Sequence, residues 1–445
     1  MSRSVVVVGG GLAGIGAAYA LARAGIREVT ILERGPQLGG LAGTFEQGGH
    51  FYPLAYHHVL REDKTLLWFL DRIGALPRVR WRRISMRFEH AGKLWDLRRP
   101  LDLLRFPMPA ADKLRLLRLM LRSARKRDWS DWIGRDAAAL VDGWAGPVVR
   151  ETLFEPLTRL KFGLPCNAVS AAWMGARLHH REGSAPLGYI PGANWTKVLC
   201  DGLRELLQKS GVKARLGVTV KRLRAKGGRV HAAELEDGSS VEGDAFVAAL
   251  PVPVYRALAP EDATPELATM RYTAILSAVV ATKQQVEPEF YWLNLTALDC
   301  SACGLFRLDA LNPTIGGPGE ACLDFVTHVP GRDQPFFQRS DDELMAGYRA
   351  DFRRLFGRDL EPDWVRIARL PYYSPIFETS YRNPPVQSAT WSNVYFAGNQ
   401  RTFPSVASTG TALGSGIDAA EAILAQEGKS TELGDVVAAT AKFRR

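Results

Sequence analysis

An α/β fold is what the sequence predicts, and three observations predict it. A run of four valines, Val5-Val6-Val7-Val8, leads directly into Gly9-Gly10-Gly11-Leu12-Ala13-Gly14. A stretch rich in small residues follows (Gly16, Ala17, Ala18, Ala20, Ala22, Ala24) and stops at Gly25. A second apolar run, Val29-Thr30-Ile31-Leu32, then ends on Glu33. Buried parallel strands read as unbroken apolar runs, and a helix joins one to the next. The unit is strand, glycine turn, helix, strand, which is the Rossmann-type arrangement.

Each glycine of the turn has a physical task. Gly9 permits the tight turn, Gly11 lets a pyrophosphate approach the backbone, and Gly14 lets helix and strand pack closely. Leu12 and Ala13 open the helix, where unpaired N–H groups and the dipole favour negative charge. Glu33 lies 19 residues after Gly14, and it can accept hydrogen bonds from ribose hydroxyls. A glycine-rich turn alone is a weak signal. With the strand before it, the helix after it and the acid at this distance, it predicts a dinucleotide site.

The next stretch is Glu33-Arg34-Gly35-Pro36-Gln37-Leu38-Gly39-Gly40-Leu41. Far along the chain, Asn393-Val394-Tyr395-Phe396-Ala397-Gly398-Asn399 reads as a strand entering a turn, and Ser408-Thr409-Gly410-Thr411 opens a second helix of small residues. With these two segments the sequence resembles the superfamily of flavin-containing amine oxidases, protoporphyrinogen oxidases and phytoene desaturases. The resemblance implies FAD. In that group backbone at the positions of Arg34, Gly39, Gly40 and Leu41 meets the cofactor again. The closing helix, here with Thr409, Thr411 and Ala412, faces the flavin ring with its N-terminus. Gly398 and Asn399 occupy the position where the family usually carries Gly and Asp, and Asn399 can still bond a ribityl hydroxyl. Residues 218–220 and 230–250 read as a strand and hairpin, and the resemblance places Val220 near the adenine. Tyr56-His57-His58, Lys161-Phe162-Gly163, Tyr291-Trp292-Leu293-Asn294 and residues 370–375 are similar to a protoporphyrinogen-oxidase-like bacterial branch.

The implied FAD-binding domain is discontinuous, at residues 1–75, 195–255 and 385–427. Residues 76–194, mainly helical, and 256–384, alternating strands with loops, form an inserted α+β substrate domain. The tail 428–445 is expected to be loosely held. A chain of 445 residues is long enough for more than one core. Five scattered cysteines are expected to be reduced thiols, which points to the cytoplasm, and the short apolar run at residues 5–8 does not read as a secretory leader. Cys300 and Cys303 have redox-motif spacing but no second pair for zinc, so they read as structural and no metal is expected. No cysteine follows Cys322, so the FAD is expected to be held non-covalently.

Flavin chemistry leaves the protein mainly to position the substrate and exclude water. His50, Tyr56 and His58 are the candidate polar groups near the ring, with Lys161 a candidate base; a structural role for each stays open. Tyr291, Trp292, Tyr372, Tyr373 and Phe403 are read as tunnel lining or core. Net charge is +10, yet residues 78–127 alone hold 16 Lys and Arg against 4 Asp and Glu. Within that segment Leu114, Leu117, Leu121 and Ala124 share one helix face, and Arg115, Arg118, Arg122 and Arg125 another. Leucines, basic residues and Trp81, Trp95, Trp129 and Trp132 suit an anionic bilayer, so residues 101–132 are a candidate membrane-docking surface at its inner face. The alternative is a solvated basic face whose apolar stripe packs in the core. Nucleic acid is not expected, since no matching fold accompanies the charge. The function expected is FAD-dependent oxidation, reduction or desaturation of a lipophilic, isoprenoid-like small molecule. An amine oxidase and a non-redox enzyme resembling UDP-galactopyranose mutase remain alternatives.

Overall fold

Unbroken apolar runs at residues 5–8, 29–32 and 245–248 have no polar face to offer solvent, so they must be covered on both sides. In the computed structural model they lie side by side in a parallel sheet of five strands. Its order is Val394–Phe396, Ala245–Ala248, Ser4–Val8, Glu28–Glu33 and Lys213–Leu216. The sheet thus draws strands from stretches far apart in sequence. The structure describes residues 3–97, 99–180, 186–287, 290–296, 299–434 and 436.

Helix Leu12–Arg23 and the closing helix Thr409–Ala425 pack against one another on one face of this sheet. Their small residues have a role that spacing alone does not reveal. A Cβ on Gly16 would lie 2.3 Å from the Leu413 carbonyl oxygen, and one on Gly416 would lie 2.0 Å from that of Ala13. The two helices therefore meet backbone to backbone, which only glycine permits. Beside the sheet, Val220–Lys226, Arg229–Leu235 and Ser240–Glu242 form a small antiparallel sheet.

A second sheet, of seven strands, has the order Trp364–Pro375, Tyr272–Thr282, Ala321–Val329, Gly304–Arg307, Trp292–Leu295, Met86–His90 and Lys93–Trp95. Its members alternate side chains between two cores. Leu276, Ala278, Leu323 and Phe325 face helix Asp341–Phe356, whereas Ile275, Val279, Cys322 and Val326 face the opposite way. The stretch 76–194 is less purely helical than expected: Met86–His90 pairs in parallel with Trp292–Leu295, and so ties the two insertions into one sheet. The remaining helices of that stretch build a separate core around Trp129, Phe154, Phe162 and Trp173.

One expectation is corrected and one alternative is set aside. The tail after Gly428 is not loose over its described part. Leu433 is buried in the core of the five-stranded sheet, and Thr65 Oγ1 donates 3.0 Å to the Val436 carbonyl; apolar burial holds it down, and residues 437–445 lie outside the described residues. In the basic helix Ala110–Arg125, the leucine stripe does not pack in the core. Asp112, Leu116, Leu119 and Ser123 are buried instead, while Leu114, Leu117 and Leu121 are 68%, 45% and 53% exposed. Leu101 and Leu104, on the neighbouring helix Pro100–Arg105, are exposed as well, and Lys113 Nζ reaches the Leu104 carbonyl at 2.5 Å. Trp129 is no part of this surface: it is fully buried, with its ring against Gly175.

Candidate active site

The glycine turn is shaped by contacts that a side chain would break. Gly9 has φ +106°, and a Cβ there would sit 2.4 Å from the Ala249 carbonyl oxygen. A Cβ on Gly14 would sit 2.0 Å from the Gly9 oxygen. Gly11 is different. The nearest atom to a Cβ there is the Gly40 Cα at 3.9 Å, so the space above it is open. Gly39 (φ +124°) bridges Gly11, and its N–H donates 2.9 Å to the Gly10 carbonyl. The two glycine motifs, read separately in sequence, are one cradle. Gly11 caps helix Leu12–Arg23 with no side-chain bond, which leaves the first-turn amides of Leu12, Ala13 and Gly14 directed at that space.

Glu33 is held rather than free. Its carboxylate accepts from the Gly10 and Gly35 amides, both at 2.7 Å. This fixes its orientation and leaves further lone pairs for a ribose. The Val218 amide donates to the Glu33 carbonyl at 2.9 Å, which brings the segment containing Val220 alongside; Val220 itself is buried. Arg34 is exposed and Leu41 half-buried beside the cradle. Open space beside Gly11 at a helix N-terminus, bordered by an oriented carboxylate, fits a dinucleotide cofactor.

The closing helix behaves differently from its expected role. Gly398 (φ +133°) donates its N–H to Ser415 Oγ at 2.9 Å, and Asn399 opens a short 3-10 turn. At the N-terminus of the helix, Ser408 and Thr411 cap each other. The buried Asp63 carboxylate accepts from the Gly410 amide at 3.1 Å and from Ser408 Oγ at 3.2 Å. The same carboxylate accepts from Leu66 and so caps helix Lys64–Arg72. Desolvation raises the Asp63 pKa above the ordinary carboxylate range, against the lowering effect of these hydrogen bonds. Two first-turn amides near Thr409, Thr411 and Ala412 are thus already satisfied. The dipole there is partly offset by a protein carboxylate, which weakens its case as a stabiliser of charge on the flavin.

The second half of the site is a cavity of about 250 Å³ between the helical core and the seven-stranded sheet. Three of the four short motifs quoted above send side chains into it: Tyr56, Lys161, and Trp292 with Asn294. From the fourth, Tyr373 lies with its ring 5.6 Å from that of His328, another lining residue. Most of the remaining wall is apolar, including Met86, Leu157, Met174 and Leu178. The segment entering the cavity also touches the cradle, since Leu54 N donates to the Gly43 carbonyl at 3.1 Å just before Tyr56.

The candidate residues separate clearly. Tyr56 stacks on Phe306 at 3.9 Å, and both line the cavity. His58 lies behind it, stacked 5.5 Å from Trp292 and edge-on to Tyr291. His50 is not brought to the cavity: it pairs with Gln47 beside the Gly48-Gly49 turn of a hairpin. Tyr291 and Phe403 are core, and only Trp292 of the five aromatics forms the wall.

Three groups escaped the sequence reading. Arg177 and His328 line the cavity, and Asp324 is fully buried on the same face of strand Ala321–Val329 as Val326. Ser277 Oγ donates to Asp324 Oδ1 at 2.7 Å. Desolvation pushes the Asp324 carboxyl up to about 7. Desolvation, reinforced by nearby Lys161 and Arg177, holds the His328 ring well below its ordinary pKa and hence neutral. A signal for both existed, since Asp324 and His328 interrupt the apolar face Cys322, Val326 at alternate positions of a strand.

Fold and cradle together define a Rossmann-type nucleotide-binding protein. The chain belongs to the flavin containing amine oxidoreductase family, whose profile matches residues 12–424, and is a flavin-dependent oxidoreductase. It is 23% identical over 405 residues to 15-cis-phytoene desaturase of Capsicum annuum, a match spanning 83% of this chain and 67% of that one. The chain spans 48% of the 15-cis-phytoene desaturase of Solanum lycopersicum, to which it is 26% identical, and 60% of a D-amino acid dehydrogenase of Methylobacterium radiotolerans, to which it is 30% identical. Among solved structures, a protein of Exiguobacterium sp. 255-15 provisionally named protoporphyrinogen oxidase has a TM-score of 0.77 at 20% identity, covering 96% of this chain and 99% of that one. Reduced UDP-galactopyranose mutase has a TM-score of 0.76 at 14% identity, covering 99% and 98%. At these identities the structural likeness speaks for the fold alone.

Proposed function

We propose that the chain binds FAD non-covalently and uses it to oxidise, reduce or desaturate a lipophilic, isoprenoid-like substrate taken from an anionic membrane surface. Gly9, Gly11, Gly14, Gly39 and Gly40 would hold the pyrophosphate with the Leu12 and Ala13 amides, and Glu33 the ribose. The flavin, when bound, supplies a hydride acceptor or donor. The chain's own contribution is to exclude water with Trp292, Phe306 and Trp173 and to orient the substrate with Tyr56 and Asn294. The observation that carries the reading is the convergence of distant motifs on one mainly apolar cavity. Such a wall suits hydrocarbon better than a sugar nucleotide.

The basic helix links this cavity to the membrane. Met120 lines the cavity, while Leu114, Leu117 and Leu121 of the same helix face solvent among exposed Arg115, Arg118 and Arg122. Exposed leucines beside arginines are a large apolar patch with a basic rim, the pattern of an interfacial helix. Among the described residues no helix is long and apolar enough to cross a membrane.

Purified holoprotein should float with phosphatidylglycerol vesicles and not with neutral ones. The triple variant Arg115→Glu, Arg118→Glu, Arg122→Glu should lower that partitioning by on the order of 100-fold, at about 1 kcal/mol per basic residue. Mass spectrometry of the wild-type protein should find an apolar lipid co-purifying. A protein that ignores anionic vesicles removes the docking surface, and reduction of the bound flavin only by small polar amines removes the lipophilic substrate.

A further inference from the structure

Resting on that reading of the cavity, one residue of its wall sets what the cavity admits. Glycine is a poor choice for a strand, since it costs conformational entropy on folding and leaves no side chain to pack. Two buried glycines of the inserted segments have a plain reason for being glycine. A Cβ on Gly188 would lie 2.9 Å from Val59, and one on Gly175 would lie 2.1 Å from the Trp129 ring. Gly304 has no such reason. Its φ is outside the left-handed region, so the backbone does not call for glycine. A Cβ there would find Phe306 Cε2 at 3.5 Å and the Leu293 carbonyl oxygen at 3.7 Å, both ordinary contact distances.

The space left by the missing side chain opens into the cavity. Gly304 is buried and paired on both sides, opposite Asn294 on one neighbouring strand and Val326 on the other. All three line the cavity, as does Phe306, two residues further along the same face. The next cross-strand pair, Trp292 with Phe306, is aromatic, so the sheet surface is recessed at Gly304 beside a raised aromatic step. Gly11 has the same signature at the cradle, with open space and no protein atom crowding it. We infer that Gly304 is the specificity-determining position of the cavity: the hydrocarbon body of the substrate takes the place of its side chain and lies against the strand between Asn294 and Val326. A strand held by partners on both sides cannot recede, so a side chain added there competes with the substrate for the same volume.

The test is equilibrium binding of farnesol to the holoprotein without vesicles, read by calorimetry and by the fluorescence of Trp173 and Trp292, which line the cavity. Gly304→Ala should weaken binding about tenfold and Gly304→Val about 100-fold, the expected range for overpacking a filled site. Both variants should keep the wild-type flavin content, with a thermal midpoint equal to or above that of the wild type, because the substitution removes a strand glycine. Wild-type affinity for farnesol in both variants overturns the assignment and leaves the lipophilic substrate standing. A lowered midpoint in Gly304→Ala overturns it too, since the glycine would then serve the fold. Loss of flavin at an unchanged midpoint gives the space to the cofactor and likewise overturns it. A wild-type protein that does not bind farnesol takes the lipophilic reading down together with this one.

Discussion

Gly14→Ala will remove both flavin and stability, whereas Gly11→Ala will remove flavin alone. The two glycines belong to the same turn, but their surroundings differ. A methyl group on Gly14 meets the Gly9 carbonyl oxygen at 2.0 Å, and Val7 stands at 3.1 Å on the other side. Both the strand and the turn are pinned, since Val7 pairs with neighbours on either side and Gly9 N bonds the Leu32 carbonyl at 2.9 Å. Backbone atoms cannot rotate out of the way as a side chain can, so the turn must open. Overpacking of this kind costs about 3 kcal/mol. A methyl group on Gly11 meets only the Gly40 Cα, at ordinary contact distance. The protein should fold with an unchanged thermal midpoint, yet the methyl group fills the space over the helix N-terminus where a pyrophosphate would lie. Flavin per mole of purified protein, with thermal unfolding of each variant, separates the outcomes. Wild-type flavin content in Gly11→Ala would show that the cradle is not the nucleotide site.

The second large effect concerns Asp324 and pH. A carboxyl with a native pKa of about 7, against 3.8 for its ordinary value, keeps its proton in the fold after the unfolded chain has lost it. Its stabilising contribution is then complete below about pH 4 and lost as pH rises through about 7. The loss approaches roughly 4 kcal/mol at alkaline pH, taking about 1.4 kcal/mol per pH unit. Asp324→Asn keeps an oxygen for Ser277 and cannot ionise. The wild type and this variant should have similar thermal midpoints below about pH 4, and the wild type should fall progressively below it between about pH 4 and 7 and no further above that. A difference independent of pH would mean that Asp324 is already ionised in the fold, and that another cation compensates it.

These two cases mark the boundary of what a sequence can express. The glycine turn was legible because its geometry is local: strand, turn, helix and acid are read in one continuous stretch, and backbone conformation there depends on neighbours in the chain. The Gly39-Gly40 doublet and the closing segment were legible by resemblance, but their meeting was not. Gly39 bridges Gly11, and Gly416 presses on Ala13, through contacts that no spacing rule anticipates. Asp63, which nothing in the sequence singles out, caps two helices that lie far apart in the chain.

Periodicity likewise showed that Ala110–Arg125 has an apolar stripe without showing what covers it. The tertiary structure buries Leu116 and Leu119 and leaves Leu114, Leu117 and Leu121 in water, because which side of a helix meets the core depends on where the next layer lies. Tyr56, Lys161 and Trp292 were each singled out in isolation, and His50 with them. Only the fold brings the first three to one cavity, adds Arg177 and His328, and leaves His50 on a hairpin turn. By itself the sequence determined the dinucleotide-binding turn, since that follows from short-range backbone geometry, and its resemblance to a family implied the flavin and the wider fold. The chemistry of the cavity was decided by the tertiary structure, since charge and hydrophobicity act through space between residues more than a hundred positions apart.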